Sequence, residues 1–111
     1  MPEISRFLLR VEKAEYVNGH NIRVSFNDGR CGVADLQELV QEDARQIVAE
    51  LGDIDKFKDF RVHFDTVCWA NGFDLAPEYL YFLAFRKAPE LRSKFEEWGY
   101  LPAPLLTRAD G

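Results

Sequence analysis

A chain of 111 residues, 47% hydrophobic and 14% aromatic, has room and material for one domain with its own core, and its composition excludes a disordered polymer. The net charge of −5 is concentrated in residues 35–65, where nine acids stand against four bases and account for all of it. No concentrated positive field is left for backbone-driven nucleic-acid binding, and no run approaches the roughly 18 apolar residues that span a bilayer.

Residues 7–16 (FLLRVEKAEY) mix apolar and charged positions as a strand does, and VNGHN supplies an Asn-Gly turn. Residues 22–26 (IRVSF) alternate, with Ile22, Val24 and Phe26 on one face of a half-buried strand. NDG at 27–29 turns the chain again into a short third strand, RCGVA at 30–34. An antiparallel meander follows from these turns.

Leu36, Leu39, Val40, Ala44, Ile47, Val48 and Leu51 recur at helical spacing and predict one amphipathic helix, with its acids on the wet side. Asp35 and Glu38 stand at capping-box spacing, and Gly52 stands where a left-handed stop is wanted. A short helix is expected at 54–59, anchored by Ile54, Phe57 and Phe60. FRVHF at 60–64 alternates, turning Phe60, Val62 and Phe64 inward and Arg61 and His63 outward. The dipeptide Asp65-Thr66 closes a turn into VCWA at 67–70, a second hairpin. Pro77 opens a helix whose stripe includes Leu80, Leu83 and Ala84. Pro89 ends it and starts another over 90–98, with Gly99 as its stop. The tail YLPAPLLTRADG packs on the body or on a partner, and its last residues fray. The fold class is therefore α+β: an antiparallel meander plus a second hairpin, packed with an amphipathic helix and C-terminal helices. The N-terminus shows neither a long apolar core nor a small-residue cleavage site, so no signal peptide is read and a cytoplasmic location is the default.

The order of signals in VSFNDGRCGVADL, an acidic helix, and FRVHFDTVCWANGFDLAPEYLY resembles a bacterial family, domain of unknown function 2442. The matching positions are Phe26, Asp28, Gly29, Gly32, Asp35, Leu36, Phe57, Val62, Trp69, Asn71, Gly72, Asp74, Leu75, Pro77 and Tyr79. They cover about residues 8–82 of a single domain over 1–111, leaving 83–111 as a helical extension. The resemblance implies a small α+β domain. Longer members carry a separate helix-turn-helix DNA-binding domain, and short ones are read as antitoxin-like partners of neighbouring small proteins. No catalytic residue is carried over from it.

Chemistry is thinly signalled. His20, His63, Cys31 and Cys68 are scattered beyond metal-ligand spacing, so no metal or cofactor is expected, and the cysteines read as packed thiols. Cys68, His63 and Asp65 are near in sequence, but strand alternation turns His63 and Cys68 to opposite faces. Asp74 and Glu78 suit an acid–base pair less well than a helix cap and a first-turn charge. No phosphate-binding glycine loop is present in the sequence. WANGFDLAPEYLY at 69–81 reads as a structural joint: Trp69 ends a strand, Asn71 and Gly72 turn, Asp74 caps and Pro77 starts a helix.

The reading that results is a non-enzymatic protein-interaction module, antitoxin-like or an accessory regulator, that self-associates as a homodimer or binds a protein partner. Tyr79, Tyr81, Trp98 and Tyr100 are its candidate interface residues. One alternative is a DNA-associated transcriptional regulator using Arg86, Lys87, Arg92 and Lys94, whose charge Glu90, Glu96 and Glu97 nearly cancel. Another is a small ligand-binding protein or enzyme with a pocket near Asp74 and Tyr79.

Overall fold

The structure is a computed structural model that describes residues 8–102. Strands β1 (Val11–Asn18), β2 (Asn21–Phe26) and β3 (Cys31–Asp35) form an antiparallel sheet in the order β1-β2-β3. Alternation along β2 does what the sequence dictates: Ile22, Val24 and Phe26 are buried and Arg23 is exposed. Helices α1 (Gln37–Glu42), α2 (Gln46–Ala49) and α3 (Ile54–Phe57) follow, with a single 3-10 turn at Glu50–Gly52. The second hairpin pairs β4 (Phe60–His63) with β5 (Thr66–Trp69). Helix α4 (Pro77–Phe85) packs chiefly on β3, and a 3-10 turn at Pro89–Leu91 leads to α5 (Arg92–Trp98). The fold is α+β. Among the described residues no helix is long and apolar enough to cross a membrane.

One core joins the layers. Ile22, Val24, Phe26 and Ala34 on the meander meet Leu36, Val48, Leu51 and Phe57 on the short helices, and Leu80, Tyr81 and Phe95 on the C-terminal ones. Helix α4 reaches the sheet closely because Gly32 has no side chain: a Cβ there would lie 2.6 Å from the Phe85 ring. The second hairpin is tied to the first sheet where Val11 N–H donates to the Asp65 carbonyl at 2.9 Å. Pro77 occupies the first turn of α4, and Gly99 caps α5 in the left-handed region at φ 89°, accepting the roles its residue type suits.

Four expectations are corrected. The single helix from Leu36 to Leu51 is broken at Asp43–Arg45. Asp43 takes an extended backbone, and its carboxylate accepts from Arg45 N–H at 3.0 Å and from the Arg45 guanidinium at 2.6 Å. That local alternative outcompetes the helical ladder and leaves Ala44 exposed, off any stripe. The guanidinium beside it holds the Asp43 carboxyl down at about 2. Gly52 is not left-handed. Asp35 accepts from Gln37 N–H at 2.9 Å, but Glu38 does not complete the box and instead reaches Arg86 at 3.7 Å. Finally, Phe64 does not point inward. The β4–β5 register pairs His63 with Thr66, so the turn is Phe64-Asp65, both at positive φ (53° and 66°), and Phe64 is 85% exposed. The tail beyond Pro102 lies outside the described residues.

Candidate functional site

The joint at 69–77 is built around Trp69. Its indole N–H donates to the Phe57 carbonyl at 2.8 Å, and its ring packs among Phe57, Phe60 and Phe73. The chain then folds back on itself: Gly72 N–H donates to the Trp69 carbonyl at 2.9 Å and Trp69 N–H to the Phe73 carbonyl at 2.8 Å. Gly72 supplies the φ of 95° that this turn needs. Asn71 is fully used. Its amide donates to the Ile47 carbonyl and to Glu50 Oε1, both at 2.9 Å, and its oxygen accepts from Phe73 N–H at 3.0 Å. It pins the turn to α2 and to the 3-10 turn after it. A depression of about 280 Å³ opens beside this joint, floored by Leu51 and Trp69 and edged by Glu50, Lys56 and Asp59.

Asp74 is not the cap expected of it. Its side chain is exposed, and Ala76 holds the N-cap position without a side-chain bond. The Ala76 carbonyl accepts from Tyr79 and Leu80, and Pro77 presents no N–H to cap. Asp74 instead forms an isolated backbone bridge with Cys68. Thr66, buried, donates its hydroxyl to the Leu75 carbonyl and closes the far side of the joint.

Arg61 stands opposite Cys68 in the hairpin, so His63 and Cys68 share a face, contrary to the alternation read from the sequence. A two-residue turn at Phe64-Asp65, like one at Asp65-Thr66, sets odd-numbered against even-numbered positions across the ladder, so His63 and Cys68 fall on one face. The shared face does not make a catalytic pair. Cys68 Sγ donates to the His63 carbonyl at 3.4 Å, and burial, then the Asp74 charge, push its thiol up and away from thiolate. Cys31 is exposed rather than packed. His20 is tied into the body: its Nε2 donates to the Leu51 carbonyl at 2.9 Å, and its ring meets Phe57 edge-on at 4.6 Å. Among the described residues no group of three His, Cys, Asp or Glu side chains is placed to hold a metal ion.

The four candidate interface aromatics divide. Tyr81 is 2% exposed and belongs to the core; its hydroxyl donates to Asp28 Oδ2 at 2.6 Å. Helical spacing put Tyr79 and Tyr81 on a helix, but α4 is apolar nearly all round, so both a sheet and a helix cover it. Tyr79, Trp98 and Tyr100 are half-buried and come together: Tyr100 lies 5.5 Å from Tyr79 and 6.2 Å from Trp98, and stacks on Phe82 at 5.2 Å. Burial, as the largest cause, raises the phenols of Tyr79 and Tyr100. The basic residues of the DNA reading are dispersed: Arg86 meets Glu38, Arg92 meets Glu96 at 3.0 Å, and Lys94 lies over the Tyr81 and Trp98 rings. Asp74 and Tyr79 line neither the depression at the joint nor a second one beside β3.

The residue that sequence reasoning missed is Phe64. A large aromatic in the left-handed region is an outlier, and the dipeptide Phe-Asp does not advertise a two-residue turn of that kind.

The profile of the family described as "Protein of unknown function (DUF2442)" matches residues 11–86. The chain belongs to the DUF2442 family. No curated protein and no solved structure matches it. The part shared with DUF2442 holds both sheets, the joint, Phe64 and Tyr79, and stops one residue past α4. Trp98 and Tyr100 lie beyond it, so the aromatic cluster is completed by what this DUF2442 chain adds.

Proposed function

We propose that this DUF2442 protein is a non-catalytic protein-interaction module, of the antitoxin-like or accessory-regulator type, and that it presents the β4–β5 hairpin tip to its partner. Phe64 carries the reading. It is 85% exposed, and its φ of 53° costs on the order of 1 kcal/mol against a residue that tolerates this conformation. A solvent-facing aromatic in a strained turn costs stability through its backbone and recovers none by burial, and such outliers gather where a ligand or partner is met. The tip is also firmly held, by the four paired positions of the hairpin and by the Asp65 carbonyl on Val11. A partner therefore meets a preformed knob rather than a loop that must first order.

Phe64→Asn separates the two roles of the residue, because Asn accepts the left-handed backbone. The variant is expected to unfold at higher denaturant than the wild type while losing association, read by sedimentation equilibrium for self-association and by co-purification from host lysate for a partner. A variant that gains stability and keeps all association, or a wild type that stays monomeric and retains no protein, refutes the proposal.

A further inference from the structure

Three turns carry an Asn or Asp directly before a glycine: Asn18-Gly19, Asp28-Gly29 and Asn71-Gly72. Such pairs share one spontaneous chemistry with water. The glycine nitrogen gives its proton to hydroxide and attacks the side-chain carbonyl carbon of the residue before it. Ammonia leaves an asparagine, water leaves an aspartic acid, and a five-membered succinimide remains. Water then adds to either ring carbonyl and reopens it as aspartate or as isoaspartate, in which the main chain runs through the side-chain carbon. Glycine favours the attack because no side chain crowds its nitrogen. All three pairs are exposed, so bonding rather than access ranks them.

At Asn71-Gly72 every participant is engaged. Gly72 N–H, the nucleophile, donates to the Trp69 carbonyl at 2.9 Å. The Asn71 amide nitrogen, the leaving group, donates to the Ile47 carbonyl and to Glu50 Oε1, and the amide oxygen accepts from Phe73 N–H. Asp28-Gly29 is held in the same way. Gly29 N–H donates to the Phe26 carbonyl at 3.0 Å, and the carboxylate accepts from the Tyr81 hydroxyl and from Arg30 N–H. Asn18-Gly19 is the opposite case. Neither Gly19 N–H nor Asn18 Nδ2 donates to any group among the described residues. Asn18 Oδ1 accepts from Asn21 Nδ2 at 3.0 Å, so a donor faces the oxygen on which negative charge gathers as the nitrogen adds.

We infer that Asn18 is a site of spontaneous modification, converting to aspartate and isoaspartate in the folded protein while Asn71 is held unreactive. The inference is independent of the interaction-module reading. The turn it alters ties the meander to the short helices: the His20 carbonyl accepts from Leu36 N–H at 2.9 Å, and His20 Nε2 donates to the Leu51 carbonyl. The Tyr16 hydroxyl donates to the Gly19 carbonyl at 3.1 Å across the same turn. Asn18 pairs with Asn21, so only two residues close the hairpin, and the extra main-chain atom of isoaspartate has no place in it. Conversion adds a negative charge, slackens these ties and leaves the aged protein less stable than the fresh one.

The whole protein is incubated at mildly alkaline pH and sampled over days. Each Asn-Gly peptide is read by mass spectrometry after digestion, and isoaspartate is scored with an isoaspartyl methyltransferase. A parallel incubation in guanidinium gives the rate of each pair without the fold. In the folded protein Asn18 is expected to convert at least about tenfold faster than Asn71, because the bonds around Asn71 must open first. In guanidinium the two rates are expected to converge. Aged wild type is expected to melt below fresh wild type, and aged Asn18→Gln to melt with its own fresh sample, because glutamine does not close the five-membered ring. Asn71 converting as fast as Asn18 in the folded protein overturns the inference. So does an Asn18 that stays intact while the unfolded chain converts, or a rate ratio that guanidinium leaves unchanged, which assigns the difference to local sequence. An aged wild type that melts with the fresh one overturns the role given to the turn.

Discussion

Tyr81→Phe removes one oxygen from the contact between a buried phenol and the Asp28 carboxylate. The hydroxyl leaves a side chain that is 2% exposed and reaches Asp28 Oδ2 at 2.6 Å. A hydrogen bond to a charged group contributes about 1.5–3 kcal/mol. Asp28 keeps other partners, accepting from Arg30 N–H at 2.9 Å, and its side chain is 22% exposed, so water replaces part of what is lost. The low end applies: a loss of about 1.5 kcal/mol, or roughly 6–9 °C in melting temperature for a domain of this size. The ring still packs on Phe26 at 5.0 Å and on Phe85 at 4.8 Å, so no cavity adds to the cost. Guanidinium unfolding followed by circular dichroism gives the number. A cycle with Asp28→Ala gives the coupling, expected at about 1 kcal/mol or more. Alkaline pH supplies an independent check. Burial first, and the bond to Asp28 second, push the phenol above its ordinary 10. A raised folded value means that the contribution is complete below about pH 10 and falls as pH rises toward the folded value. Wild-type stability should therefore fall above pH 10 more steeply than that of Tyr81→Phe. A substitution that costs less than about 0.5 kcal/mol, shows no coupling and leaves the alkaline slope unchanged would refute the assignment of Tyr81 to this buried bond.

Asn71→Ala is expected to lower stability by about 1–2 kcal/mol, because it frees the Ile47 carbonyl and Phe73 N–H together; a denaturation midpoint within error of wild type would show that the turn does not need its pin. Gly99→Ala should cost about 1 kcal/mol through backbone alone, since no atom lies within 4 Å of the added methyl; calorimetry of the two proteins measures it, and a neutral result would mean that α5 does not end in a left-handed cap. Cys31 should react with a disulfide reagent at pH 8 roughly ten times faster than Cys68, measured on Cys68→Ser and Cys31→Ser respectively; equal rates would contradict the burial and the Asp74 charge that hold the Cys68 thiol up.

Local chemistry was legible in the residues alone. Alternation in Ile22, Val24 and Phe26 made a strand in any context that buries one face. Asn and Gly residues placed the meander turns, Pro77 opened α4 and Gly99 stopped α5, because each removes conformations that its neighbours would otherwise sample. The family was legible for the same reason, since WANGFDLAP is a run of such punctuation. What tertiary structure decided begins where two local solutions compete. Residues 36–51 have a helical stripe, yet the Asp43 carboxylate had its own partner in Arg45, and the body had no use for Ala44. FRVHFDTV permits several turns, and burying Val67 and Trp69 against Phe57 chose the one that strains Phe64 and exposes it. His63 and Cys68 share a face in this register, as in any with a two-residue turn here. Tyr81 and Tyr79 read alike in sequence, two residues apart on one helix, and only the approach of Asp28 and of α5 separated a core residue from a half-buried one. The two Asn-Gly turns belong to the same class of fact: the dipeptide is identical in sequence, whereas which of its amide and backbone groups are bonded depends on what packs against the turn.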